Sequence, residues 1–158
     1  IMMCSVETAA AHEETYSAHV AEYGPDLVQL IEEGRRTTGV QIARGVNLRL
    51  AFSERLATMF KGIDCMIVPT MPMPMPSLAK MAEYGEDPGV LNSILRFTAP
   101  FDFAGNPTIT LPNGTDAAGL PLSMQLVGPR LGEAVLVRAA HAYQTVTDWH
   151  RRHPTDPA

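Results

Sequence analysis

The segment from Phe97 to Gly128, FTAPFDFAGNPTITLPNGTDAAGLPLSMQLVG, constrains the fold more than any other part of the chain. An apolar turn-helix element opens it. Thr108-Ile109-Thr110-Leu111 then alternates with period two, the spacing of a half-buried strand, and Pro112 ends the run. Asn113-Gly114 and Gly119-Leu120-Pro121 bracket a wide turn. Beyond it Leu122, Met124 and Leu126 alternate with Ser123, Gln125 and Val127 in a second strand. Antiparallel pairing is the simplest arrangement, and the wide connection leaves other pairings open.

Helices surround this pair. Met3 to about Glu22 lacks Gly and Pro and is rich in Ala and Glu, so one helix is expected there, stopped by Tyr23-Gly24-Pro25. A short second helix begins near Asp26 and ends at Gly34. A long third helix runs from Thr37-Thr38 to about Lys61, with Leu48, Phe52, Leu56 and Met59 along one face. Asp64-Cys65-Met66-Ile67-Val68 is a compact apolar run halted by Pro69, the pattern of a buried sheet strand. From Pro69 to Gly89 the repeated prolines, which lack backbone donors, predict a loop without regular structure. A short helix over 90–97 and a final one from about Gly132 to Trp149, apolar on several sides, complete the chain. The expected architecture is α/β, a mixed sheet flanked by helices. It forms a single domain over 1–158, helical over 1–61, with strands and pocket loops over 62–128 and a C-terminal helix over 132–150.

Composition narrows the function classes. Hydrophobic residues make up 46% of 158 and charged residues 18%, the balance of a packed domain. The formal charge of −5 supplies no basic field for nucleic acid. No apolar run approaches the ~18–20 residues that span a bilayer. IMMCSVETAAAHEE lacks a secretory pattern and opens as if cut from something longer. Cys4 and Cys65 match no metal or redox spacing, so a reduced, cytoplasmic setting is the default. No phosphate-cradling glycine loop or ligand spacing is present, so neither a metal nor an organic cofactor is expected.

Taken in order, the motifs resemble the C-terminal portion of the amidase signature family, serine-dependent hydrolases of amide C–N bonds. Ala11-His12 and Tyr23-Gly24-Pro25 lie on and after the first helix. IDCMIVPTMPMP is similar to the family's hydrophobic strand, Pro-Thr and Pro-rich loop, and TAPFDFAGNPTITLP to its Thr-x-Pro-Phe-Asn-x-x-Gly-x-Pro segment. GLPLSMQLVGPRLGEAVLVRAAHAYQ resembles its closing strand and helix. Asp102 departs from the pattern, standing where Asn is common.

The resemblance implies a partial amidase signature fold and a known chemistry. One serine attacks the carbonyl, a second serine in a cis peptide relays the proton, a lysine is the base, and backbone N–H groups hold the oxyanion. None of these transfers to a residue here. Lys61 ends a helix and Lys80 lies in the Pro-rich loop; Ser5, Ser17, Ser53, Ser77, Ser93 and Ser123 include no Gly-Ser-Ser-Gly arrangement. The chain alone is therefore expected to be inactive. Pocket wall does transfer. Thr70, Met71, Pro72 and Met73, leaving a central strand, and Thr98, Phe101, Asp102 and Gly105 are the candidate acyl-side lining, with Met75 and Phe103 beside them. The implied partner is a small-molecule amide substrate when the domain is complete. Association with a missing N-terminal half, or as a homodimer, is left open. The alternative reading is a non-catalytic α/β binding or interaction module.

The remaining titratable groups have plainer readings. His12 and His19 share a helix face with Tyr16 between them and serve surface or packing roles; His141 packs. His150 and His153, flanking Arg151-Arg152, are solvated partners of a helix end. Cys65 is a buried, inert thiol.

Overall fold

The computed structural model describes residues 1–73, 75–84 and 88–153. It forms two compact units, Ile1–Ala51 and Phe52–Ala158.

In the first unit the N-terminal segment bends. α1 (Met2–Ala11) and α2 (Glu13–His19) meet at His12, and a 3-10 turn over Val20–Glu22 follows. The single expected helix is broken because His12 is tied elsewhere: its Nδ1 lies 2.9 Å from the Tyr23 hydroxyl, with the two rings edge to face. The bend leaves Tyr16 buried, edge-on to Tyr23 and beneath the Arg35 guanidinium. His19 is exposed and pairs with Glu22 at 2.8 Å. α3 (Pro25–Arg36) starts with proline at its first position, where the missing N–H costs nothing, and passes through Gly34 to Arg36. Gly34 does not end the helix. It is buried because α1 crosses there: a Cβ at Gly34 would lie 2.0 Å from the Ser5 carbonyl oxygen. Ile31, one turn earlier on the same side of α3, is fully buried.

α4 spans Gly39–Met59, capped by reciprocal bonds between Thr38 and Gln41, whose side-chain oxygen accepts from the Thr38 amide at 2.8 Å. Its expected apolar stripe divides. Leu56 is 5% exposed and Phe52 half-buried, whereas Leu48 is 67% and Met59 43% exposed.

The second unit is built on a three-stranded sheet in the order β1-β3-β2, all antiparallel: β1 (Met66–Pro69), β2 (Thr108–Thr115) and β3 (Pro121–Val127). β1 lies at an edge of this sheet, neither central nor fully buried, and Ile67 is 65% exposed. β2 and β3 form the expected antiparallel pair. β2 continues past Pro112 because the register shifts between Pro112 and Gly114: a bulge accommodates the residue that cannot donate. Asp116 closes the connection by accepting the amides of Ala118 and Leu120, and Gly119 takes φ +83°.

Strand alternation sends side chains to two cores. Val127 packs with Leu56, Phe101 and Ala104 on one face, joined by Met66 and Val68. Leu126 packs with Leu111, Leu136 and Ala140 on the other, where Cys65 is half-buried. The segment after Pro76 is not wholly irregular. α5 (Leu78–Tyr84) forms because Ser77 to Glu83 holds no proline or glycine, and the Ser77 hydroxyl accepts the Lys80 amide at 3.2 Å. α6 (Pro88–Ile94) and a 3-10 turn to Phe97 match the expected short helix, and α7 spans Ala99–Ala104. α8 (Glu133–Thr145) is shorter than expected. The hydroxyls of Thr145 and Thr147 donate back to the carbonyls of Ala142 and Tyr143, ending it before a separate 3-10 turn at Trp149–Arg151.

Candidate functional site

The two expected pocket segments meet on one face of β3. Pro69 pairs with Met124 across the strands, and the Thr70 amide donates to the Ser123 carbonyl at 3.4 Å. Thr70 thus falls on the face that carries Ser123 and Gln125. Gln125 is 2% exposed, and its side-chain amide donates to the carbonyl of Phe97, the residue before Thr98. A single buried amide therefore links the sheet to the turn that begins α7.

Around this link the candidate residues differ in environment. Thr70 is half-buried, and its hydroxyl is shielded from solvent with no hydrogen-bond partner among the described residues. A buried hydroxyl is seldom left so, since a missing bond costs about 1–3 kcal/mol. Met71 and Met73 are half-buried, Pro72 is exposed, and Met75 is 55% exposed; Pro74 lies outside the described residues. The Thr98 hydroxyl reaches the Leu95 carbonyl at 3.5 Å, so it stays within its own turn. Phe101 is 7% exposed in the core against Leu56 and Val127, and Phe103 is half-buried. Asp102 is exposed in the first turn of α7, where a carboxylate is favoured by the N–H groups at that end. Gly105 ends α7 with φ +74°, a conformation that side-chain-bearing residues rarely adopt.

Next to Gly105 lies a cavity of about 280 Å³ lined by Ser53, Ala57, Phe60, Lys61, Asn106 and Arg130. Asn106 is held rigidly: its side-chain amide donates to the Gly128 carbonyl at 2.8 Å, and its backbone amide to the Phe101 carbonyl. None of the eight candidate residues lines this cavity. Among the described residues no three His, Cys, Asp or Glu side chains gather as metal ligands, and no helix is long and apolar enough to cross a membrane.

Sequence reasoning missed Gln125. Its position in the period-two alternation placed it opposite Leu126, but that spacing marks both faces alike. The one available signal was an uncharged amide, able both to donate and to accept, in a strand whose other residues are apolar except Ser123.

The geometry has close counterparts. The sequence profile of the Amidase family matches residues 5–137. AmiD of Mycobacterium tuberculosis, a protein named as a putative amidase, is 41% identical over 150 residues, covering 95% of this chain and 32% of its own length. A glutamyl-tRNA(Gln) amidotransferase component from Thiobacillus denitrificans is 38% identical over 107 residues, 68% of this chain and 21% of its own. The solved structure of 6-aminohexanoate cyclic dimer hydrolase superposes with a TM-score of 0.77 at 22% identity, covering 98% of this chain and 35% of that one. The chain spans about a third of the length of these proteins or less. With the profile running through most of its length and the same fold in a solved structure, this chain belongs to the Amidase family.

Proposed function

We propose that this chain is the C-terminal part of an amide hydrolase, one that supplies scaffold and acyl-side pocket wall to a Ser-Ser-Lys centre carried by a segment outside these 158 residues. Both units then belong to one domain, and the substrate is a small amide. The observation that carries this reading is the Thr70 hydroxyl. Within a family of C–N hydrolases, at the end of a strand whose loop resembles the family's pocket loop, it is desolvated and unmatched among the described residues. A substrate group, or a residue of the remaining domain, would complete it. Thr70 to Met73 and Thr98, Asp102 and Gly105 form the wall; Phe101 backs it from the core.

Exposed apolar surface supports a larger domain. Ile67 on the edge strand is 65% exposed, and Leu48 and Leu50 on α4 are 67% and 64% exposed, more than a self-sufficient module would leave to water. The Thiobacillus relative is named as one component of an amidotransferase, which lends support to association with further chains.

The test joins the chain to an upstream segment bearing the Gly/Ser-rich loop and measures ammonia or amine release from small amides. Turnover is expected from the joined protein and none from the chain alone. In the joined protein Thr70→Val should raise KM; a melting temperature that holds or rises marks a hydroxyl completed by substrate, and one that falls marks a hydroxyl completed by the remaining domain. No amide turnover from a folded joined protein would refute the proposal.

A further inference from the structure

On the opposite side of the hairpin from β1, the turn at Trp149–Arg151 packs against β2 and forms a second cleft of about 190 Å³. We propose that this cleft binds a small oxyanion, a phosphate or carboxylate group, through His150, Arg152 and His153, with Thr115 across from them. Sequence alone reads these histidines as solvated partners of a helix end. His153 is exposed, as that reading expects, but His150 departs from it. α8 stops at Thr145, and His150 is folded inward, half-buried, its Nδ1 shielded from solvent and without a partner among the described residues.

His150 is part of the cleft lining, and the chemistry of that lining decides the sign of ligand it takes. The cleft is lined by Trp149, His150, Arg152 and His153 together with Pro112, Gly114, Thr115 and Pro121 of the hairpin. None of these is a carboxylate or thiolate. A metal ion would therefore meet only imidazoles beside a permanently charged guanidinium, an arrangement that repels cations. An oxyanion meets the reverse: acceptor oxygens facing up to three nitrogen-bearing side chains, of which the guanidinium offers a paired fork. Arg152 is already positioned, its guanidinium carbon 4.0 Å from the centre of the Trp149 ring and its terminal nitrogen 3.3 Å from the Asp148 carboxylate. Asp148 partly offsets that charge but lies outside the lining. Among the described residues this guanidinium donates to Asp148, and a guanidinium has further N–H donors to offer.

Trp149 is the single tryptophan of the chain, so its fluorescence reports this cleft alone. Titration of the 158-residue chain with sodium phosphate and, separately, sodium acetate is compared with sodium chloride at matched ionic strength. A saturable emission change is expected with an oxyanion and not with chloride; whether phosphate or acetate binds more tightly distinguishes the two sources. His150→Leu and Arg152→Gln should each weaken the apparent Kd about tenfold or more, the worth of one charge-assisted hydrogen bond. If His150→Leu fails to fold by circular dichroism, Arg152→Gln and His153→Gln, both at exposed positions, carry the test. No saturable response to either oxyanion, or an unchanged Kd in the folded variants, would overturn the assignment.

Discussion

Gly34→Ala sets two effects of opposite sign against each other. Gly34 lies inside α3, two residues before its end, and alanine there should favour the helix by about 1 kcal/mol. The added methyl carbon, however, would sit 2.0 Å from the Ser5 carbonyl oxygen, 2.5 Å from the Ser5 carbonyl carbon and 2.8 Å from the Ala9 side chain. Two of these atoms are backbone and cannot rotate aside, so α1 must move outward by more than an ångström on the scale of a ~3.5 Å contact. Overpacking of this kind typically costs about 1–3 kcal/mol, occasionally more. If α1 instead swings free, Ile31 loses its cover, at about 1.5–3 kcal/mol. Set against the helix gain, either route leaves a net destabilisation of about 1 kcal/mol, or roughly fivefold in the opening equilibrium. Native-state hydrogen exchange of the α3 amides reads this directly. Gly39→Ala is the control, because a side chain there meets nothing within 4 Å. Protection of α3 that is unchanged or raised in Gly34→Ala would refute the close crossing of α1 and α3.

Three further outcomes follow from the packing. Leu136→Ala, at a position 2% exposed beneath Leu126, should lower stability by about 2–5 kcal/mol in denaturant melts monitored by circular dichroism. Gln125→Leu keeps the volume but strands the Phe97 carbonyl, so a loss of about 1–3 kcal/mol is expected, with faster exchange at the start of α7; unchanged exchange there would sever the proposed link between sheet and turn. Burial, reinforced by a hydrogen bond to Glu32, raises the Tyr16 phenol above its ordinary value of 10.0. A raised folded pKa means that this contribution is fully present below the unfolded value and fades as pH climbs through the folded one. The first unit should therefore lose stability in alkali above that value, and Tyr16→Phe should flatten the dependence in melts across that range.

Local chemistry alone makes much of this protein legible. Tyr23-Gly24-Pro25 had to interrupt a helix, and the prolines from Pro69 to Pro76 removed the donors that a ladder or helix needs. The alternation from Thr108 to Val127 required a paired strand whichever face was buried, and the ordered motifs identified the family. These are short-range consequences of backbone donors, Cβ sterics and periodicity, all present in neighbouring residues.

Contacts between segments distant in the chain decided the rest. Gly34 looked like a helix end because glycine often is one; only the passage of Ser5 against it makes the absent side chain a packing requirement. Ile67 and Val127 are equally apolar, yet one is 65% exposed and the other fully buried, because a strand's place in the sheet is set by partners far along the chain. Gln125 and His150 carry no local mark of burial either; what encloses them is the turn at Phe97 and the hairpin at Thr115. A sequence states which groups exist and how they repeat, whereas which of them lose water depends on what the fold lays over them.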